Sequence, residues 1–175
     1  EAFARWLDAH GAADELVGLH LERSVVSRRA MGDDAPDVAV EAGERLGRAG
    51  DRAAWSMDHA AAISLLTRAA SLLPEADVLR LDLECVLSHP LKMTGEWRRA
   101  LSLLEDVVRR AEEIENRRVA ARARVEMVWP LHLVGVSDAD ALIAGIEEAI
   151  AECEAASDTI GLARAWDARY AVESL

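Results

Sequence analysis

The sequence predicts an all-α protein in which antiparallel helical hairpins stack into a right-handed superhelix. Three observations lead to this prediction. Alanine and leucine dominate the 175 residues, and both are good helix formers. Valine and isoleucine never form the alternating runs that are typical of strands. Breaks in an otherwise helical pattern recur at intervals of about twenty residues.

Nine helices are predicted between the breaks. The breaks are Gly11, the segment 32–36, Pro74, Gly95, Gly135 and the segment 157–158. The helices are predicted to span approximately residues 2–9, 13–30, 36–55, 58–73, 76–94, 96–115, 117–134, 138–156 and 159–175. A helical lead-in over residues 1–35 would then precede the repeats, which we place at 36–74, 76–115, 117–156 and, incompletely, 158–175.

The sixth and eighth predicted helices have the clearest apolar faces, with residues recurring at the spacing of an α-helix. In the sixth helix the face consists of Ala100, Leu104, Val107, Ala111 and Ile114. In the eighth it consists of Leu142, Ile143, Ile146, Ile150 and Cys153. Ser137 and Asp140 have the spacing of a capping box, which predicts the start of the eighth helix.

Internal self-similarity indicates that the hairpins repeat. The pattern Pro90-Leu91-x-x-x-Gly95 returns about forty positions later as Pro130-Leu131-x-x-x-Gly135. A single hairpin cannot bury its apolar face, so repeated hairpins are expected to stack. Both prolines lie inside helical patterns, and each is expected either to bend its helix or to break it into two shorter ones.

One segment resembles a tetratricopeptide (TPR) repeat, and a second resembles it less closely. In the first, the small and large positions of the TPR pattern fall on Leu46, Ala49, Gly50, Ala53, Ala62, Leu66, Ala69 and Pro74. Ala53 stands where the family usually has an aromatic residue. In the second, the segment 95–100 (GEWRRA) resembles the TPR hairpin turn. The resemblance implies a solenoid whose first helices line a concave surface.

A broader resemblance extends over most of the chain. The segments 3–7 (FARWL) and 15–22 (ELVGLHLE) precede the TPR-like unit in an order similar to the C-terminal helical region of large bacterial regulatory ATPases of the STAND type. This resemblance implies a regulatory or sensor arm of a signalling ATPase or transcriptional regulator. The chain begins without methionine and ends within a helical pattern, so we expect it to be a piece of a longer protein.

Composition excludes several classes of function. The net charge of −12 is unfavourable for binding nucleic acid or an anionic membrane. The sequence contains no phosphate-loop, C-x-x-C, H-E-x-x-H or EF-hand motif, so no catalytic, cofactor or metal site is predicted. Gly43, Gly47 and Gly50 are interpreted as a helix-packing face. The two unpaired cysteines suit the reducing cytoplasm.

Cys85 and His89 are one helical turn apart, which raises the question of a nucleophilic pair. The alternative interpretation is a core thiol beside a histidine of the groove, and we favour it. The other histidines have no sequence neighbour that indicates a catalytic group. The chain is therefore expected not to be an enzyme.

The TPR resemblance implies that a partner-binding groove would be lined by Trp55, Asp82, His89, Arg122, Trp129 and His132. Tryptophan and arginine are enriched at binding hot spots, so the expected partner is a peptide or another protein domain, including one from the same chain. The alternative is that Trp55 and Trp129 belong to the core.

Three functions compete at this point: a regulatory interaction module of a signalling ATPase, a stand-alone TPR adaptor, and a helical enzyme or small-molecule receptor. The first is favoured by the broader resemblance. Trp166, Tyr170 and Val172 in the last helix are expected to face another hairpin. They therefore predict an exposed apolar patch, or a homodimer contact, at the C-terminal end.

Overall fold

The computed structural model describes residues 1–133, 135 and 139–173, and within them all regular structure is α-helical. The all-α prediction is confirmed, and the helix ends lie within three residues of those predicted. The helices of the described part are α1 (Ala2–Ala9), α2 (Asp14–Arg29), α3 (Pro36–Trp55), α4 (His59–Ser71), α5 (Val78–Met93), α6 (Trp97–Glu113), α7 (Arg117–Leu133), α8 (Ala139–Ala155) and α9 (Thr159–Glu173). The proposed capping residue Ser137 lies outside the described residues.

The chain divides into two compact units, Glu1–Pro90 (unit 1) and Leu91–Leu175 (unit 2). In unit 1, α1 packs on α2, α2 on α3, and α3 on α4. In unit 2, α6 packs on α7, α7 on α8, and α8 on α9, while α7 also contacts α9. Consecutive helices joined by short connections form hairpins, as predicted. The winding of these hairpins into a superhelix stays a prediction.

The predicted apolar faces form the core of unit 2. Ala100, Leu104, Val107 and Ala111 of α6 are completely buried. A second cluster joins α7, α8 and α9 and includes three of the five predicted α8 residues, while Ile143 packs against it partly buried and Cys153 is buried outside it. Its members are Val125, Val128, Leu142, Ile146, Ala149, Ile150, Ala165, Ala168 and Val172. None of the described helices is long and apolar enough to cross a membrane.

The apolar patch that the sequence predicts at the C-terminal end is present on α9. Trp166 and Tyr170 are 49% and 75% exposed. Val172 was expected to lie with them, but it is on the buried side of the helix, in the core of unit 2. A homodimer contact at this patch stays a prediction.

One turn geometry recurs at the ends of helices. In four connections between helices, the residue two positions before the next helix has a positive φ. These residues are Met57 (63°), Gly95 (80°), Glu115 (55°) and Ser157 (54°). In each case the following amide donates to the carbonyl five residues back, as between Asp158 and Cys153 at 2.9 Å. This arrangement caps the C-terminal carbonyls of the preceding helix. Gly95 and Gly135 both adopt positive φ, so the sequence repeat is also a structural one.

The glycines of α3 permit close helix packing, as the sequence interpretation proposed. A Cβ atom on Gly50 would lie 2.7 Å from Cγ of Leu66 in α4, and one on Gly47 would lie 2.5 Å from Cδ2 of Leu83 in α5. Both distances are too short for carbon atoms in contact. A side chain at Gly50 would therefore press on Leu66 and its backbone in α4, whereas a side chain at Gly47 would first displace the end of the Leu83 side chain.

Both internal prolines are accommodated within continuous helices. α5 continues through Pro90 to Met93, and α7 continues through Pro130 to Leu133. The predicted alternative of a break into two short helices is wrong. Each proline lies three residues before the end of its helix, so its missing amide affects the last turns alone. A bend at each position stays a prediction.

A carboxylate in unit 1 is surrounded by three arginines. Asp14, at the start of α2, accepts hydrogen bonds from Arg45 (3.1 Å), Arg48 (3.1 Å) and Arg52 (2.8 Å), which follow one another along α3. The hydrogen bond from Arg48 contributes most to holding the pKa of Asp14 far below its usual range, and together with those from Arg52 and Arg45 it outweighs the opposing effect of burial. These contacts tie α2 to α3.

We expect this cluster to make unit 1 sensitive to acid. Because the folded pKa is depressed, the stabilisation is complete above the unfolded pKa of about 3.9 and is lost as the pH falls through the folded pKa. Asp14→Asn is expected to cost about 1–2 kcal/mol at pH 7 and to reduce the loss of stability between pH 5 and pH 2. Urea unfolding at several pH values measures both, with the exposed Asp51→Asn as control. Equal pH dependence in the two variants would contradict this assignment.

Candidate interaction surface

The residues predicted to bind a partner in unit 1 are at least partly accessible. Trp55 is the last residue of α3 and is 81% exposed, so the alternative that it belongs to the core is wrong. On α5, Asp82 is half-buried and His89 is exposed. Cys85 is buried, which agrees with the favoured interpretation of a core thiol. These positions are compatible with binding but do not by themselves form a site.

In unit 2, Arg122 is held in place by a buried carboxylate. Its Nη2 lies 2.7 Å from both carboxylate oxygens of Asp158, the residue that precedes α9. Asp158 also accepts a hydrogen bond from the amide of Gly161 at 3.1 Å and thereby caps α9. Burial raises the pKa of Asp158, but the hydrogen bonds from Arg122 and Gly161 outweigh it and hold the pKa below its usual range. Arg122 therefore links α7 to α9.

Trp129 and His132 lie near each other on α7, as their spacing predicts. Their ring centroids are 5.9 Å apart, and the rings meet edge to face at 76°. The Trp129 side chain is 37% exposed, so it does not belong to the core of unit 2. His132 is half-buried beside it. The pair presents an aromatic ring to solvent, a feature that is common at binding hot spots.

An open cleft lies at the end of α7 and adds residues that the sequence reasoning missed. Its volume is about 550 Å³, and its lining consists of Leu133 from α7 and residues 95–99 (GEWRR) from the turn and first residues of α6. Leu133 follows Trp129 by four positions and therefore shares its side of α7. Trp97 is half-buried and Arg98 is exposed. We call Trp97, Arg98, Trp129, His132 and Leu133 the α7 surface.

A buried network of charges lies on α7 next to this surface. Glu126 of α7 is buried and accepts hydrogen bonds from Lys92 at the end of α5 and from Arg164 of α9. Burial raises the pKa of Glu126, but the positive charges of Lys92 and Arg164 outweigh it, so the pKa lies below its usual value. Residues of α5, α7 and α9, all within unit 2, thus meet at one carboxylate, one turn before Trp129.

Pro130 contributes to the same network through the amide that it lacks. In a regular helix the carbonyl of Glu126 would accept a hydrogen bond from the amide of residue 130. Here Lys92 Nζ lies 3.3 Å from this carbonyl and donates to it, in addition to the Glu126 carboxylate. The lysine therefore satisfies a main-chain acceptor that the proline leaves open.

The cysteines of this chain are not activated as nucleophiles. Both cysteines are buried, and burial raises the pKa of the Cys153 thiol, with the nearby Asp158 carboxylate adding to the effect. Among the described residues, no group of three or more metal-ligating side chains is placed to hold an ion. No protein-family model matches this chain, and no curated protein matches it.

Proposed function

We propose that this chain is a non-catalytic protein-interaction module and that it binds a peptide segment or a protein domain on the α7 surface. The observation that carries the proposal is Trp129, an exposed tryptophan in edge-to-face contact with His132 and one turn before Leu133, which lines the open cleft. Aromatic residues in such settings contribute most of the binding free energy at many interfaces. A small-molecule receptor would instead favour an enclosed apolar pocket.

The fixed base of the surface supports this role. Glu126 and Asp158 anchor α7 to its neighbours through charged hydrogen bonds, so the helix presents Trp129 without reorganising. Binding to a preorganised surface costs less conformational entropy than binding to a mobile one. The open cleft also exposes Arg98, which suits a partner with a carboxylate next to a large apolar side chain.

We further propose that the module regulates a larger signalling ATPase or transcriptional regulator, as the sequence resemblance implies. The native gene gives a direct test. An in-frame phosphate-loop motif encoded upstream of Glu1 would support this role, and ATP turnover of the whole protein should then respond to changes in the α7 surface. An upstream start codon without such a motif would overturn the regulatory proposal and leave the binding proposal standing.

The binding proposal is tested by truncating the exposed tryptophan. Trp129→Ala is expected to weaken the binding of a captured partner by roughly thirtyfold, because hot-spot residues contribute at least about 2 kcal/mol. Trp6→Ala is a matched control, since Trp6 is also exposed but lies in unit 1. Titration calorimetry measures the affinities, and circular dichroism verifies the fold. If Trp129→Ala binds the partner as tightly as the control does, the α7 surface is not the binding site.

A further inference from the structure

One arginine in the cleft of the α7 surface is not paired within the described part of the chain. Arginines of this protein commonly pair with a carboxylate, as Arg99 does with Glu96 at 2.9 Å. Arg98, the neighbour of Arg99 in the lining of the cleft, is exposed and makes neither a hydrogen bond nor an ion pair with any described residue. The described lining therefore contains one positive charge that the protein does not neutralise.

The stability of α6 does not explain why an arginine occupies this position. Arg98 lies in the first turn of α6, where the positive end of the helix dipole disfavours a positive charge. That turn contains no acidic residue, and the preceding Glu96 already bonds to Arg99 and Thr94. Residues that break a local rule without a structural compensation are typical of functional sites.

The rest of the cleft offers apolar surface beside this charge. Leu133 of α7 is 50% exposed, and Trp97 is half-buried at the start of α6. The volume of about 550 Å³ is within the range of sites that hold a small molecule, so a few side chains of a partner fit. Because the cleft is open, a bound chain can continue at both ends, and no chain terminus is required.

We propose that the α7 surface binds an extended segment of its partner in which one Asp or Glu pairs with Arg98 and a large apolar residue two positions away packs against Leu133 and Trp97. This inference rests on the binding function proposed above and specifies the chemistry of the partner. The spacing follows from the extended backbone, since alternate side chains point to the same side. Side chains of adjacent residues would point to opposite sides, so only one of them would enter the cleft.

The charge of the whole protein restricts how acidic this segment can be. A net charge of −12 repels a strongly acidic partner. Charges further away than the Debye length, about 10 Å at 0.1 M salt, are largely screened, so a single carboxylate in contact with Arg98 interacts mainly with its immediate surroundings. A segment with one carboxylate is therefore favoured over a run of several.

The test titrates capped pentapeptides into the isotope-labelled protein and follows the indole N–H resonance of Trp97 by NMR. The probes are acetyl-Ala-Phe-Ala-Asp-Ala-amide and acetyl-Ala-Asp-Ala-Phe-Ala-amide, which cover both chain directions. Each is compared with the peptide that has Asn in place of Asp, and with a peptide in which Phe and Asp are adjacent. At least one probe is expected to bind about fivefold more tightly than its Asn counterpart, and added sodium chloride should reduce this difference.

Two variants assign the preference to one guanidinium group. Arg98→Gln is expected to abolish the preference for Asp over Asn without weakening the binding of the Asn peptide. Arg117→Gln is the matched control, because Arg117 is also exposed and unpaired among the described residues, at the start of α7, but does not line the cleft. Circular dichroism in urea verifies the fold, and Arg98→Gln should be no less stable than the wild type.

The outcomes separate this inference from the proposed function. A preference for Asp that Arg98→Gln abolishes and Arg117→Gln retains supports the inference. Equal binding of the Asp and Asn peptides, a preference that persists in Arg98→Gln, equally tight binding of the peptide with adjacent residues, or no response of Trp97 to either probe overturns it. The proposed function is decided separately, by the affinity of Trp129→Ala for a captured partner.

Discussion

Replacing Glu126 with alanine is expected to lower the free energy of unfolding of unit 2 by about 3–5 kcal/mol. The Glu126 carboxylate is buried between Lys92 and Arg164, and its removal leaves the nearly inaccessible ammonium group of Lys92 without a counter-charge. Arg164 is more exposed and can regain water. The main cost is therefore the uncompensated charge on Lys92, which exceeds the net contribution of the intact network to stability.

Urea unfolding followed by circular dichroism measures this change. Glu105→Ala removes an exposed carboxylate from α6 and is expected to change stability by no more than about 0.5 kcal/mol. The double variant Lys92→Met, Glu126→Leu removes both buried charges and is expected to recover part of the loss, the remainder reflecting the Glu126 carbonyl to which Lys92 also donates. If the double variant is no more stable than Glu126→Ala, the buried-charge explanation fails.

Asp158→Ala is expected to cost about 2–4 kcal/mol, also in unit 2. The change removes the side-chain cap of α9, which contributes about 1 kcal/mol. It also leaves the largely buried guanidinium of Arg122 without its bidentate partner. Because the pKa of Asp158 is held below its usual range, this stabilisation is present above about pH 4 and disappears in stronger acid.

Hydrogen exchange of the α9 amides reports the effect of Asp158→Ala where it arises. The exposed Asp167→Ala, in the same helix, provides a control for changes in charge and helix propensity. Asp158→Ala should accelerate exchange along α9, and Asp167→Ala should not. Similar exchange in both variants would show that the contact between Asp158 and Arg122 does not hold α9 to α7.

The helices were predictable because their signals are local. The apolar residues of α6 and α8 recur with the 3.6-residue period of an α-helix, and most of the breaks between helices lie at glycines and prolines. The turns at Met57 and Glu115 were less visible, since these residues adopt a left-handed conformation that glycine usually supplies. The capping hydrogen bonds that follow these residues explain the turns, and the sequence alone does not reveal those bonds.

The candidate site was predictable where its residues are neighbours in sequence. Trp129 and His132 are three positions apart and meet in the structure. Leu133 and the residues around Arg98 were missed, because their proximity depends on how α6 and α7 pack. Arg122 was predicted as a hot spot because arginine is enriched at binding interfaces, yet in the structure it pairs with Asp158, which lies 36 positions further along the chain. The burial of Glu126 was not predictable either, because its partners Lys92 and Arg164 are 34 and 38 positions away in the sequence.

Because of Pro130, the hairpin that contains α7 needs a particular residue from the hairpin that precedes it. A hairpin with an ordinary residue at this position would satisfy its own main chain, and any neighbour of suitable shape could follow it. With proline, the open carbonyl of Glu126 needs a donor from outside its helix, and Lys92 of the preceding hairpin provides it. Exchanging that hairpin for one without the lysine would remove the donor to the carbonyl and one of the two cations that pair with the carboxylate, which would keep Arg164. These hairpins can therefore be recombined only if Lys92, Glu126 and Pro130 are transferred together.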